Sequence, residues 1–145
     1  MNLTSIAIGG LMPALLIGIG TVLMRGSVGA GASIPAYLAC VGTTVALIGW
    51  GSVAMFGGGV PGPKAIILAC GMGAAWAVSI GCIAYGLGTL RLPLSVVAPI
   101  TNSNALVGVI CGALVYSEWK HLNMPMVAIG ALMICGGATL VSLSR

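Results

Sequence analysis

The chain has 145 residues, of which 59% are hydrophobic and only 4% are charged. Soluble domains carry roughly 25% charged residues, so this composition excludes an ordinary water-soluble domain and predicts lipid as the solvent. The net charge of +4 comes from cations scattered singly along the chain, which excludes a basic stripe for nucleic-acid binding.

Five apolar runs predict an all-α integral membrane bundle of five transmembrane helices, because each run is close to the roughly 20 residues that cross a bilayer. The first span covers about residues 3–24 and stops at Arg25. A loop rich in glycine and serine, Gly26 to Ser33, follows it. The second span covers about residues 34–56, and the glycine and proline run Gly57 to Pro63 ends it.

The remaining three spans are predicted over about residues 65–87, 93–116 and 124–143. Arg91 closes the third span, and the polar patch Ser117 to Asn123 separates the last two. The connections are too short to hold a soluble domain. The sequence therefore predicts one transmembrane domain covering the whole chain.

The five cations give a weak orientation signal. Five crossings place Arg25, Arg91 and Arg145 on one side of the membrane, and Lys64 and Lys120 on the other. Cations favour the cytoplasmic side, so three against two slightly favours a cytoplasmic carboxyl terminus. A chain that inserts in both orientations is also consistent with this balance.

Catalytic and metal-binding groups are scarce. The only carboxylate side chain is Glu118 and the only imidazole is His121, and both lie at a predicted membrane boundary. The five cysteines sit inside apolar runs with no CxxC motif or Cys/His cluster, as expected for small packing residues. We expect no catalytic residues, no metal site and no cofactor, and the chain is not predicted to be an enzyme.

The fourth span carries the most informative polar groups. Pro99 lacks a backbone N–H and crowds the carbonyl four residues earlier, so it can kink the helix and free a polar backbone group. Four consecutive polar residues, Thr101 to Asn104, follow within the span. Carboxamides inside a membrane need partners from neighbouring helices, water or a ligand.

A rotation of about 100° per residue divides these groups between two faces. Ser95, Pro99 and Asn102 share one face, which we interpret as the side of a solute pathway. A purely structural interhelical hydrogen bond is the alternative role for Asn102. The second face carries a GxxxG step and is assigned to helix packing or a dimer contact; its residues are Thr101, Asn104, Gly108 and Gly112.

Trp76 is the one aromatic residue predicted deep inside a span, the third. It would line the same solute pathway by forming a cavity wall. The alternatives are a lipid-facing position or packing against another helix. Trp50 and Trp119 lie near span ends, where tryptophan is enriched at the membrane interface.

The later part of the chain resembles one repeat of the EamA type in the drug/metabolite transporter superfamily. The resembling segments enter, end and follow the fourth span: Leu92-Pro93-Leu94-Ser95, Pro99-Ile100, Gly112, Glu118-Trp119-Lys120, Ile129-Gly130, Ile134 and Gly136-Gly137. The distinctive part runs over about residues 76–143, and the first span is compatible but less specific.

The resemblance implies a helical transporter in which two such repeats, usually with inverted topology, enclose a central solute cavity and work by alternating access. Only one repeat is present here. The second copy is therefore expected from another chain, either in an antiparallel homodimer or in a heterodimer with a sister subunit. The expected setting is a multi-pass protein of a prokaryotic plasma (inner) membrane.

Small multidrug resistance proteins also resemble the chain, but they depend on a glutamate in the first helix. The first span here has no acidic residue, which argues against cation extrusion by that route. The leading prediction is a dimeric transporter of a small metabolite or drug-like solute. The alternative is a non-catalytic accessory subunit that packs against a larger membrane partner. Glycine-rich helix faces allow close packing in either a dimeric transporter or such an accessory subunit.

Overall fold

The computed structural model describes residues 3–117 and 123–143, and the described chain is predominantly helical. The helices are α1 (Leu3–Gly29), α2 (Ile34–Phe56), α3 (Pro63–Gly88), α4 and α5 (Met124–Leu143). The fourth, Leu94–Val115, is interrupted at Ser103, and we call its two parts α4a (Leu94–Asn102) and α4b (Asn104–Val115).

Helices α1 to α4 are long and apolar enough to cross a membrane, and α5 is an apolar helix of 20 residues. Large apolar side chains are exposed along all five helices. These features confirm the predicted all-helical fold and suit a multi-pass membrane protein. The predicted polar patch is described only at Ser117 and Asn123; Glu118, Trp119, Lys120 and His121 lie outside the described residues, as does Arg145.

Helix α1 contains one wider turn. Residues Ala7–Leu11 are π-helical, and the backbone N–H of Met12 bonds to the carbonyl of Ala7. Pro13 follows directly; it cannot donate to the carbonyl of Gly9, and its ring crowds that carbonyl. A π-bulge widens the turn at such a point, so the helix continues through the proline.

The first span is longer than the sequence predicts. The helix continues past Arg25 to Gly29, so the predicted loop at Gly26–Ser33 is reduced to its last four residues. Arginine is a good helix former, and its guanidinium donates a hydrogen bond to the carbonyl of Leu87 in α3. This contact gives the cation a partner within the fold, so Arg25 does not end the helix.

The other helix ends follow local capping rules. Ser33 caps α2 by accepting a hydrogen bond from the N–H of Ala36 at 3.4 Å. Gly57, with a φ of 75°, ends α2 in a conformation that glycine adopts without strain. Pro63 begins α3 two residues earlier than predicted, because proline suits the first position of a helix.

The chain divides into two compact units, Met1–Arg91 and Leu92–Arg145. In the first unit, the carboxyl-terminal end of α3 packs against both α1 and α2. Met24 of α1 and Ala84 and Leu87 of α3 are buried there. Gly81 faces Leu38 of α2 and Gly88 faces Val28 of α1, so small residues on α3 allow both helices to approach closely.

In the second unit, α4a packs against α5. Helix α4b makes little backbone contact with α5, although side chains of both helices face a common groove. The prediction of one five-helix domain over the whole chain stays a prediction.

Candidate functional site

The polar residues of the fourth span lie around the interruption between α4a and α4b. Asn102 is the last residue of α4a and Asn104 is the first residue of α4b. Ser103 between them has φ −65° and ψ −8°, and its N–H bonds to the carbonyl of Ile100. The sequence indicates that Pro99 can kink the helix. The helix continues through Pro99, and the interruption lies four residues later.

The interruption lies near the middle of the span. At 1.5 Å per residue, the two asparagines are about 12 to 15 Å from Leu94 and about 17 to 20 Å from Val115. A bilayer core is about 30 Å thick. In a membrane-crossing α4, both carboxamides would therefore lie close to the bilayer centre, where water is scarce.

The hydroxyl groups near the interruption are satisfied by their own helix. The hydroxyl of Thr101 donates to the carbonyl of Val97, and that of Ser103 donates to the carbonyl of Pro99 at 3.4 Å. Such bonds to a carbonyl four residues earlier are typical of serine and threonine in helices. These two side chains therefore have local partners.

The two carboxamides differ from the hydroxyls. Neither Asn102 nor Asn104 makes a side-chain hydrogen bond with any other described residue, and both are exposed. An amide in an apolar medium without a hydrogen bond costs at least about 1–3 kcal/mol. Both groups therefore require partners from outside the described chain, such as a solute, water or a second protein copy.

The predicted pathway residues of the fourth span are all on α4a. Ser95, Pro99 and Asn102 are spaced by four and three residues along one uninterrupted helix, so they share a face. Ser95 and Asn102 are exposed and Pro99 is half-buried. Trp76 is on α3 in the other unit, with 40% of its surface exposed. The pathway role of these four residues stays a prediction.

The interruption divides the predicted packing residues. Thr101 is on α4a, where it is half-buried, whereas Asn104, Gly108 and Gly112 are on α4b. A side chain added at Gly108 would meet no other atom within 4 Å. This part of α4b therefore has room for a helix from outside the chain. The packing or dimer role of these four residues also stays a prediction.

One apolar feature was not predicted. A groove of about 540 Å³ lies between α4b and α5 within the second unit, and we call it the α4b–α5 groove. All of its lining residues are apolar; they include Leu106, Ile110 and Leu114 on α4b and Val127, Ala131 and Cys135 on α5. None of the described residues that line it is an asparagine or a serine, so it is separate from the predicted solute site.

Comparison with known proteins identifies no relative of this chain. No family model, curated protein or solved structure matches this chain.

Metal-binding and redox groups do not assemble in the described part of the chain. Within residues 3–117 and 123–143, no three His, Cys, Asp or Glu side chains gather closely enough to hold a metal ion. All five cysteines are free, and four of them are exposed. The described spans can therefore bind a ligand through hydrogen bonds with side-chain amides and through apolar contacts.

Proposed function

We propose that this chain is one half of a membrane transporter for a small polar or amphiphilic solute. The supporting observation is the interrupted fourth span, whose two carboxamides make no side-chain hydrogen bond with any other described residue. In a membrane-crossing α4 they would lie near the bilayer centre. Solute sites in secondary transporters lie near the midplane and are typically built on discontinuous helices. The plan that we propose is a single EamA-type repeat in a prokaryotic plasma membrane.

Asn102 would be the principal solute-binding group. Its carboxamide offers two N–H donors and a carbonyl acceptor, and Ser95 and Pro99 lie on the same face of α4a. The described spans contain no carboxylate. A substrate would therefore be recognised through neutral hydrogen bonding and apolar contact, with Trp76 as a candidate wall of the passage.

A second copy would complete the passage. The exposed face of α4b combines the Asn104 carboxamide with Gly108, beside which there is open space. Glycine lets helix backbones approach, and asparagine side chains hydrogen-bond across helix pairs in membranes. An antiparallel pair of identical chains would bring two such faces together, and a sister subunit would serve equally well.

Matched alanine variants test the two roles. The protein is reconstituted in liposomes, and fluxes of a panel of neutral, zwitterionic and charged small solutes are measured. Asn102→Ala is expected to lower the detected flux while the copy number stays unchanged. Asn104→Ala is expected to shift the particle from two copies towards one in mild detergent. Asn123→Ala, which removes an exposed carboxamide outside the helices, is the control for both measurements.

The result that would reject the pathway is a flux that Asn102→Ala leaves unchanged for every transported solute. A monomer that co-purifies with a larger membrane chain would instead favour the accessory subunit. Tags at both termini, scored for accessibility from each side of the membrane, test the antiparallel arrangement. Two populations of opposite orientation are expected for a homodimer of that kind.

A further inference from the structure

Two arginines lie at the same end of the first unit. Arg25 is in the last turns of α1, and Arg91 follows the carboxyl-terminal end of α3. The guanidinium of Arg25 donates to the carbonyl of Leu87, four residues before Arg91. The N–H of Leu90 bonds back to the carbonyl of Tyr85 at 3.1 Å, so the chain stays beside the end of α3 where it reaches Arg91. Both cations therefore flank the same few residues.

The two arginines lie at the depth of lipid headgroups. Helix α1 has 27 residues, so its middle is residue 16 and Arg25 is about 14 Å from it along the axis. Helix α3 has 26 residues, so its last residue, Gly88, is about 19 Å from its middle. In a membrane centred on these helices, the hydrocarbon ends about 15 Å from the centre and the headgroups end at about 20 to 22 Å. Arg25 and Arg91 therefore flank the layer that holds the lipid phosphates.

The charges of both arginines are unpaired within the described chain. The bond of Arg25 to Leu87 is made to a neutral carbonyl. Arg91 is exposed, and its side chain makes no hydrogen bond or ion pair with any other described residue. The described residues include no carboxylate side chain. Each guanidinium carries five N–H donors, so most of these donors and both positive charges remain for an anion from outside the chain.

The chemistry of this end selects a phosphate. A planar guanidinium matches the oxygens of a phosphate with two parallel hydrogen bonds, and basic sites between transmembrane helices bind anionic headgroups. The Leu87 carbonyl already holds Arg25 in place, which lowers the cost of ordering it around a ligand. The other end of α3 differs, because Lys64 is the one cation there among the described residues of the first unit.

We propose that Arg25 and Arg91 together bind the phosphate group of an anionic phospholipid at this end of the first unit. The acyl chains of that lipid remain in the surrounding bilayer, and the headgroup is the part that the protein recognises. This proposal requires only that α1 and α3 cross a membrane, and it does not depend on the proposed transport activity. Lipid binding and solute flux are measured separately, and either can fail without the other.

A pair of lipids with identical acyl chains tests the site. The full chain is purified in neutral detergent, and palmitoyl-oleoyl phosphatidylglycerol or phosphatidylcholine is titrated in native mass spectrometry. The anionic lipid is expected to bind more tightly. Arg91→Gln should weaken its binding about 5-fold, the usual contribution of one arginine near an anionic surface, and should leave phosphatidylcholine unaffected. Lys64→Gln removes one positive charge at the opposite end of α3 and is the matched control, with unchanged binding expected.

Arg25→Lys tests the second cation without removing its charge. Lysine is a point charge that lacks the planar fork, so this variant should bind phosphatidylglycerol more weakly than the parent protein and respond less to further loss of Arg91. Higher NaCl concentration should weaken the binding of phosphatidylglycerol to the parent protein, because salt screens exposed charges.

Three results would overturn the proposal. One is equal binding of the two lipids, and another is an equal effect of Arg91→Gln and Lys64→Gln, which would show attraction to net charge without a site. The third is displacement of phosphatidylglycerol by an equal concentration of inorganic phosphate, which would assign the arginines to a soluble anion. If Arg91→Gln does not yield a monodisperse protein, Arg91→Gly replaces it, because glycine adopts the φ of 52° at this position without strain.

Discussion

Replacing Gly88 by alanine is expected to loosen the packing of α1 on α3. A Cβ atom at this position would lie well inside the van der Waals contact distance of Val28 Cγ1 and 3.6 Å from Val28 Cβ. Valine in a helix has one strongly preferred rotamer, so it cannot easily turn away. Overpacking of this kind costs about 1–3 kcal/mol, more than the gain of up to about 1 kcal/mol that alanine brings over glycine in a helix.

The measurement is the free energy of unfolding in mixed micelles of mild detergent and SDS. Gly73→Ala is the matched control on the same helix, because a Cβ atom there meets nothing within 4 Å; it is expected to be neutral or stabilising. Val28→Ala removes the clashing methyl groups, so the loss in Gly88→Ala/Val28→Ala should be smaller than the sum of the single losses. Equal stability of Gly88→Ala and Gly73→Ala would refute the proposed close approach.

Three further predictions concern local contacts of the first unit, each measured by the same unfolding assay. Arg25→Gln loses the charged hydrogen bond to the Leu87 carbonyl at the end of α3 and is expected to cost about 1 kcal/mol, whereas Arg25→Lys should retain part of it. Arg91 has a φ of 52°, so Arg91→Gly should relieve strain and stabilise the protein by about 1 kcal/mol; a loss of stability would contradict this. Ser33→Ala removes the cap of α2 and should cost roughly 0.5 kcal/mol, since the bond is long.

Much of the helical fold could be predicted from the sequence because charges, prolines and glycines punctuate otherwise apolar runs. The glycine and proline run predicted to separate the second and third spans does so in the structure over Gly57 to Gly62, and its last residue, Pro63, begins α3. The predicted end of the first span at Arg25 differs from the structure. A charged residue usually marks the end of a span, but the Arg25 guanidinium donates to the carbonyl of Leu87, 62 positions along the chain. Such a long-range contact leaves no local signature, so the extension of α1 to Gly29 was missed.

The sequence indicated which polar residues of the fourth span could form a site, but not the geometry around them, and the role of these residues stays a prediction. Asn102 and Asn104 stand out because a carboxamide is conspicuous in an apolar run. The break at Ser103 was not predicted, because the sequence shows that Pro99 lacks an N–H but does not show the conformation of the turn that follows it. The α4b–α5 groove could not be predicted from the sequence. Nearly every residue of α4b is apolar or glycine, so the faces of this helix do not differ in hydropathy.

The interruption of α4 connects the polar site with the apolar groove. Helix α4a packs on α5, and α4b makes little backbone contact with it. Pro99 leaves the carbonyl of Ser95 without its usual helical N–H donor and crowds it. Pro99→Ala restores that donor, and a more regular α4 would carry α4b back along α5. The carboxamides would then turn away from their present positions, and the groove would narrow.

We therefore expect Pro99→Ala to slow amide hydrogen exchange around residues 95–103. Solute flux should fall in the same variant if the interrupted span forms the passage. Val96→Ala, at a half-buried position three residues before Pro99 on the same helix, controls for a change of side chain that leaves every backbone donor in place. Equal exchange rates in Pro99→Ala and Val96→Ala would contradict the role of the proline in keeping this turn irregular.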